Sequence, residues 1–172
     1  MKISSLLFIV VGGLTAYLFF TMAAIFQGNL DPCCNFWPTA ECLEEQFKLL
    51  TSIQKCQLLD VVHLDYWYLI CYPFLLGIWV YREMQAQILL WTNTLLRCCL
   101  LVLAILFLAD ITETILLEQL LKGITYPFKV IAIFTRLKWA TLTFVLLILL
   151  ISIIGRKTGL FPLSLRLKNR IE

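Results

Sequence analysis

The sequence has little charge and none of the motifs that mark common enzyme chemistries. Only 15% of its 172 residues are charged, and it contains one histidine and seven glycines. Soluble domains are about 25% charged. No P-loop or dinucleotide-binding glycine pattern, no HExxH and no CxxC is present. These absences disfavour nucleotide-dependent enzymes, zinc hydrolases and dithiol enzymes. No catalytic residue, cofactor or metal is predicted.

Apolar residues make up 61% of the chain and concentrate in long runs. A membrane-spanning helix needs about 20 predominantly apolar residues. Four runs qualify, at Ile3 to Phe26, Val61 to Tyr81, Cys98 to Leu117 and about Val130 to Gly155. The first run exceeds the usual length of a signal-peptide core, so we interpret it as a retained helix. The sequence predicts a single all-α domain, a four-helix bundle embedded in the lipid bilayer.

The distribution of basic residues predicts the orientation of this bundle. Lys2, Arg82, Arg97 and the basic tail at 156–172 fall on one side, whereas the first loop carries five acidic residues. Because basic residues favour the cytoplasmic side, both termini are predicted to be cytoplasmic, in a membrane of the bacterial inner-membrane type. A net charge of +3 is too small to indicate a nucleic-acid partner.

The first loop is the only long one, and its second half has helical periodicity. Thr39 resembles an N-cap and is followed by acidic residues, while Leu43, Phe47 and Leu50 recur at helical spacing. This pattern predicts an amphipathic helix at about 41–59, lying on the outer membrane face. The basic, leucine-rich tail is predicted to rest on the anionic cytoplasmic leaflet.

Ionisable residues inside the apolar runs form the candidate functional site. The depth of each residue follows from its distance along the helix, at about 1.5 Å per residue from the basic end. Five ionisable residues fall in one layer by this count: Asp65, Asp110, Glu113, Arg136 and Lys138. That layer is the outer third of the membrane. Asp110 and Glu113 share a face of their helix, as do Asp65, Tyr68 and Tyr72 on theirs. Charges in a bilayer are costly unless paired, so these faces should converge, with Lys138 or Arg136 as counter-ion of the acids.

The role of this layer has more than one interpretation. It is predicted to be a structural ion pair that sets the helix register, or a surface that docks a partner. The alternative is a ligand or ion site. Adding His63 to three carboxylates gives a conceivable metal site, but a lone histidine at a membrane boundary is more often an interfacial residue.

The cysteines raise a separate question. Cys33, Cys34, Cys42 and Cys56 lie in or beside the first loop and are candidates for up to two disulfides if the loop faces an oxidising compartment. Quinone-coupled thiol oxidoreductases resemble the chain in helix count and topology. They carry a CxxC at a helix end, which this sequence lacks.

One further resemblance covers helices two to four. "LLDVVHLDYWYLICYPFLLGIWVYRE", "LADITETILLEQLL" and a lysine early in the last helix resemble a diffuse group of small, uncharacterised bacterial four-helix membrane proteins. The matching positions are Leu64, Asp65, Tyr68, Tyr72, Asp110, Glu113 and Lys138. Thr114 stands where the group has asparagine. The resemblance implies a set of positions for the polar layer and no activity.

These features together predict a non-enzymatic accessory, assembly or partner-docking protein. Its partner would be another membrane protein or a second copy of the chain. An oligomeric protein that binds or transports an ion or small molecule through the acidic residues is the first alternative. A thiol oxidoreductase is the second.

Overall fold

The computed structural model describes residues 3–26, 37–86, 90–125 and 127–158. Within these ranges the chain forms five helices and no strand. They are α1 (Ile3–Phe26), α2 (Ala40–Leu49), α3 (Ser52–Ala86), α4 (Leu90–Leu121) and α5 (Phe128–Thr158). The all-helical fold is confirmed. The basic tail from 159 onwards lies outside the described residues.

Four of these helices are long and apolar enough to cross a membrane: α1, α3, α4 and α5. The chain is therefore an integral membrane protein. The three longer helices extend beyond the predicted runs. Helix α3 alone has 35 residues, a length of about 52 Å at 1.5 Å per residue, against a hydrocarbon core of about 30 Å. Their ends therefore project from the bilayer.

The predicted interfacial helix is shorter than expected. It ends at Leu49, and a new helix begins at Ser52. The cause is a capping box at Thr51, whose hydroxyl accepts from the backbone N–H of Gln54 at 3.3 Å. In return, the backbone N–H of Thr51 donates to Gln54 Oε1 at 2.9 Å. Residues 52–59 thus belong to α3 because this reciprocal pair starts a helix there.

The start of α2 agrees with the sequence. Thr39 is the N-cap, and its hydroxyl accepts from the backbone N–H of Cys42 at 3.2 Å. Glu41 occupies the first turn, where a hydrogen bond from its own backbone amide and one with Thr39 lower the pKa of its carboxyl group. The ring centroids of Phe47 and Phe128 are 5.8 Å apart, and this contact holds α2 against the start of α5.

Helix α4 ends at a glycine in the left-handed conformation. Gly123 has a φ of 87°, and its backbone N–H donates to the carbonyl of Leu120 at 3.1 Å. The N–H of Ile124 donates to the carbonyl of Gln119 at 3.0 Å. These two bonds form a Schellman motif, which satisfies carbonyls that the helix end leaves free. The chain then reverses into α5.

Helices α3 and α4 lie in the middle of the bundle, because each packs extensively on two neighbours. Helix α4 packs on α3 and on α5, whereas α3 and α5 touch each other only sparsely. The shared core consists of residues from all three helices: Leu69, Tyr72, Leu76, Val80, Leu96, Cys99, Leu103, Leu106, Val145 and Leu149.

Helix α1 forms one edge of the bundle. It packs on α3, where its Phe8 ring lies 6.5 Å from Trp79 and its Phe19 ring 6.4 Å from Tyr68. Leu18 is the only buried residue among its described side chains. Helices α1 and α5 have no extensive contact with each other, so the bundle is open between its first and last helices.

Candidate functional site: a polar cluster between three helices

Lys138 is the centre of the polar cluster. From α5, its Nζ lies 2.8 Å from Asp110 Oδ1 and 2.7 Å from Glu113 Oε2, both on α4. The side chains of Asp110 and Glu113 are 3% and 9% exposed, and that of Lys138 is 20% exposed. The three-residue spacing of the acids places them one helical turn apart, so one ammonium group reaches both.

Hydroxyl groups hold the two carboxylates from either side. The Tyr72 hydroxyl, from α3, donates to Asp110 Oδ2. The Thr135 hydroxyl, one turn before Lys138 on α5, donates to Glu113 Oε1 at 2.7 Å. Each buried acid therefore has an ion pair and a neutral donor, which repays part of the cost of removing it from water.

Asp65 is the third carboxylate, and it is held differently. Its Oδ2 accepts a hydrogen bond from the Thr114 hydroxyl at 2.7 Å, which links α3 to α4. It is within electrostatic reach of Lys138, but no described cation forms a salt bridge with it. Thr114 thus supplies the hydrogen-bond donor that Asp65 receives from α4.

Two tyrosines cover the cluster from α3. The rings of Tyr68 and Tyr72 are stacked, with centroids 4.8 Å apart and planes at 28°. Tyr68 also contacts Phe19 of α1. The aromatic pair thus extends from the cluster towards the edge helix.

Arg136 does not belong to this cluster, contrary to the sequence-based prediction. Its Nε donates to the carbonyl of Pro38 at 2.8 Å, and its guanidinium lies 5.9 Å from the centre of the Trp37 ring. The physical reason is helical geometry. Residues two apart on a helix point about 200° away from each other at 3.6 residues per turn, so Arg136 and Lys138 cannot share a face. Arg136 instead anchors the segment before α2 on α5.

A second polar group lies nearer the end of α4 and was not predicted. Glu118 accepts from the Tyr66 hydroxyl at 2.6 Å and also pairs with Lys122. His63 Nε2 lies 3.8 Å from the same carboxylate, at the exposed surface. His63 is therefore a neighbour of Glu118 rather than of the three carboxylates of the polar cluster. In the sequence, the only signal for Glu118 was that it lies four residues before Lys122, the spacing of a helical ion pair.

Sequence reasoning also missed an ion pair at the opposite end of the bundle. Arg156 of α5 lies 2.9 Å from the carboxylate of Glu83 on α3, which is buried. We call the membrane side on which Arg82, Arg97 and Arg156 lie the basic end. The ion pair between Glu83 and Arg156 therefore links α3 to α5 at the basic end. Elsewhere these two helices contact each other only sparsely.

The loop cysteines differ from one another. Cys42 is disulfide-bonded. Cys56 is a free and exposed thiol, so the candidate pairing through Cys56 is not present. Cys56 lies on α3 rather than on an interfacial helix. Cys33 and Cys34 lie outside the described residues.

The described residues contain no group of three or more His, Cys, Asp or Glu side chains arranged to hold a metal ion. No family model, curated protein or solved structure matches the chain.

Proposed function

We propose that the chain is a non-enzymatic docking protein, and that its partner is a membrane protein with a basic residue in a transmembrane helix. That helix would lie against the open edge of the polar cluster. The observation that carries the proposal is the charge imbalance of the cluster, in which Asp65, Asp110 and Glu113 have one ammonium group between them.

The charges of the cluster support a basic partner because Lys138 does not form a salt bridge with all three carboxylates. It pairs with two carboxylates and leaves Asp65 with a neutral hydroxyl as its described donor. An uncompensated charge inside a bilayer costs several kcal/mol, by estimates of about 2.5–3.5 kcal/mol for a charged side chain at a helix centre. A lysine or arginine from a partner helix would remove that cost.

The open side of the bundle also supports the docking of a partner helix. Helices α1 and α5 do not close on each other, and Lys138 remains 20% exposed at the edge of the cluster. Tyr68 and Asp65 are likewise only partly buried. A partner helix can therefore approach these polar groups without displacing any of the four long helices.

The test is crosslinking in native membranes, followed by purification of the full chain in mild detergent and mass spectrometry. We expect a defined partner with a basic residue in a transmembrane segment. Asp65→Asn should reduce its recovery about tenfold, since tenfold corresponds to about 1.4 kcal/mol. Asp60→Asn is the matched control. Asp60 is an exposed acid on the same helix, and its substitution should leave recovery unchanged.

Two outcomes would contradict the proposal. Recovery of the chain alone after crosslinking would exclude a stable partner, and equal recovery with Asp65→Asn would separate docking from the cluster. A lone chain that gains thermal stability from added monovalent cations, and loses this gain with Asp65→Asn, would instead support ion binding or transport.

A further inference from the structure

A second feature of the bundle lies away from the polar cluster, on the outer face of α3 towards the basic end. It is a groove of about 1020 Å³, with α3 as its floor and α1 and α4 as its walls. Small-molecule pockets usually occupy about 300–1,000 Å³. The groove begins at Pro73 and continues past Gly77 to Gln85.

The walls of the groove are apolar for most of its length. Phe74 and Ile78 line it from α3, and Leu100, Ala104 and Phe107 line it from α4. Gly77 widens it, because a Cβ added at this glycine would meet no atom within 4 Å. All these residues lie in helices long enough to span the bilayer, so the groove opens towards lipid chains.

Only the end of the groove is polar. Tyr81, Arg82 and Gln85 line it there, one to two turns beyond Ile78. The guanidinium of Arg82 lies 5.3 Å from the centre of the Phe8 ring and forms no salt bridge with a described residue. Arg97 precedes Leu100 by three residues, and so lies one turn beyond it on the same face of α4. It too has no described carboxylate partner.

We propose that this groove binds an anionic phospholipid of the leaflet at the basic end. One acyl chain lies along the apolar walls, and the phosphate is bound by Arg82, with Arg97 beside it. Such a lipid and the groove are complementary, since a long apolar channel ends at the guanidinium group of Arg82, with no carboxylate among the described residues that line it. Guanidinium groups bind phosphate through paired hydrogen bonds, and basic pockets between transmembrane helices bind lipid head groups.

The test measures lipid binding to the purified full chain in detergent by native mass spectrometry. Phosphatidylglycerol and phosphatidylcholine with identical acyl chains are compared. We expect preferential retention of phosphatidylglycerol. Arg82→Gln should weaken its binding about fivefold, from roughly 1 kcal/mol per basic residue near anionic lipid, and Arg97→Gln should weaken it in the same direction.

The matched control is Lys157→Gln, which removes an exposed charge in the last turn of α5, outside the groove, and should leave binding unchanged. Gly77→Leu should weaken binding of both lipids by filling the apolar channel, with all charges retained. Soluble glycerol phosphate should not compete, because it lacks the acyl chain.

Several results would overturn the assignment. These are equal retention of the two lipids by the wild-type chain, unchanged binding in Gly77→Leu, or an equal loss in Lys157→Gln and Arg82→Gln. Competition by glycerol phosphate alone would indicate a free-anion site. If Arg82→Gln does not fold, Arg97→Gln and Gly77→Leu test the same proposal independently.

Discussion

At the scale of single residues, the molecule depends most on Lys138. This ammonium group lies between two nearly buried carboxylates on a neighbouring helix. A buried ion pair adds little net stability compared with apolar residues of the same shape, because each charge must be removed from water. Removing one partner of the pair is strongly destabilising, since the remaining charges then lie buried without compensation.

We therefore expect Lys138→Met to destabilise the protein by about 3–5 kcal/mol, the range for a broken buried pair. Thermal unfolding in detergent measures the change. Lys122→Met is the control. It removes an exposed i, i+4 partner of Glu118, which is worth about 0.3–0.5 kcal/mol.

A rescue experiment separates charge from packing at this site. Adding Asp110→Asn and Glu113→Gln to Lys138→Met removes the charges of the two carboxylates with which Lys138 pairs. The triple variant should recover most of the lost stability. A triple variant no more stable than Lys138→Met would show that packing of the lysine stem, rather than charge, carries the effect.

At the scale of helices and their ends, two local motifs set the boundaries that apolar runs alone do not. The capping box at Thr51 and Gln54 separates α2 from α3. The Schellman motif at Gly123 ends α4 and allows the reversal into α5. Both motifs lie at the loop side of the bundle, where the helices that carry the polar cluster begin or end.

Gly123→Ala should destabilise the protein by about 1–2 kcal/mol, the cost of a left-handed conformation for a residue with a Cβ. The same thermal unfolding measurement applies, and hydrogen exchange should show faster opening of the last turn of α4. Gly13→Ala is the matched control in α1. A Cβ there meets no atom within 4 Å, so the substitution should be neutral or stabilise by up to about 1 kcal/mol through helix propensity. Equal effects of the two substitutions would contradict the role assigned to Gly123.

At the scale of the whole molecule, the basic residues predict that both termini lie on the cytoplasmic side of the membrane. Within the part of the chain that the structure describes, two free thiols are exposed: Cys56 near the first loop, and Cys98 towards the basic end of α4. These two thiols report on opposite sides of the bilayer.

If both termini are cytoplasmic, a membrane-impermeant maleimide added to intact cells should label Cys56 and leave Cys98 unlabelled. The readout is peptide mass spectrometry, which assigns the label to individual cysteines, with Cys56→Ser as the control that removes the label from that position. Labelling of Cys56 only after the cells are permeabilised would reverse the predicted orientation.

The sequence alone determined the all-helical fold with its four apolar spans, and it predicted one shared depth for the ionisable residues. Hydrophobic length and helical rise are local properties, and they do not require knowledge of neighbouring helices. They were sufficient to identify the four spans and to predict a polar layer, which contained Asp65, Asp110, Glu113, Arg136 and Lys138. Local capping signals also identified Thr39, although the reciprocal pair at Thr51 was overlooked.

The tertiary structure decided which of these groups face each other. Lys138 meets both acids of α4, whereas Arg136, two residues earlier, points to Pro38 on the far side of α5. The pair between Glu83 and Arg156 and the groove along α3 were likewise invisible in the sequence. The physical reason is that depth follows from the number of residues along one helix, whereas pairing depends on how three helices rotate and pack around each other.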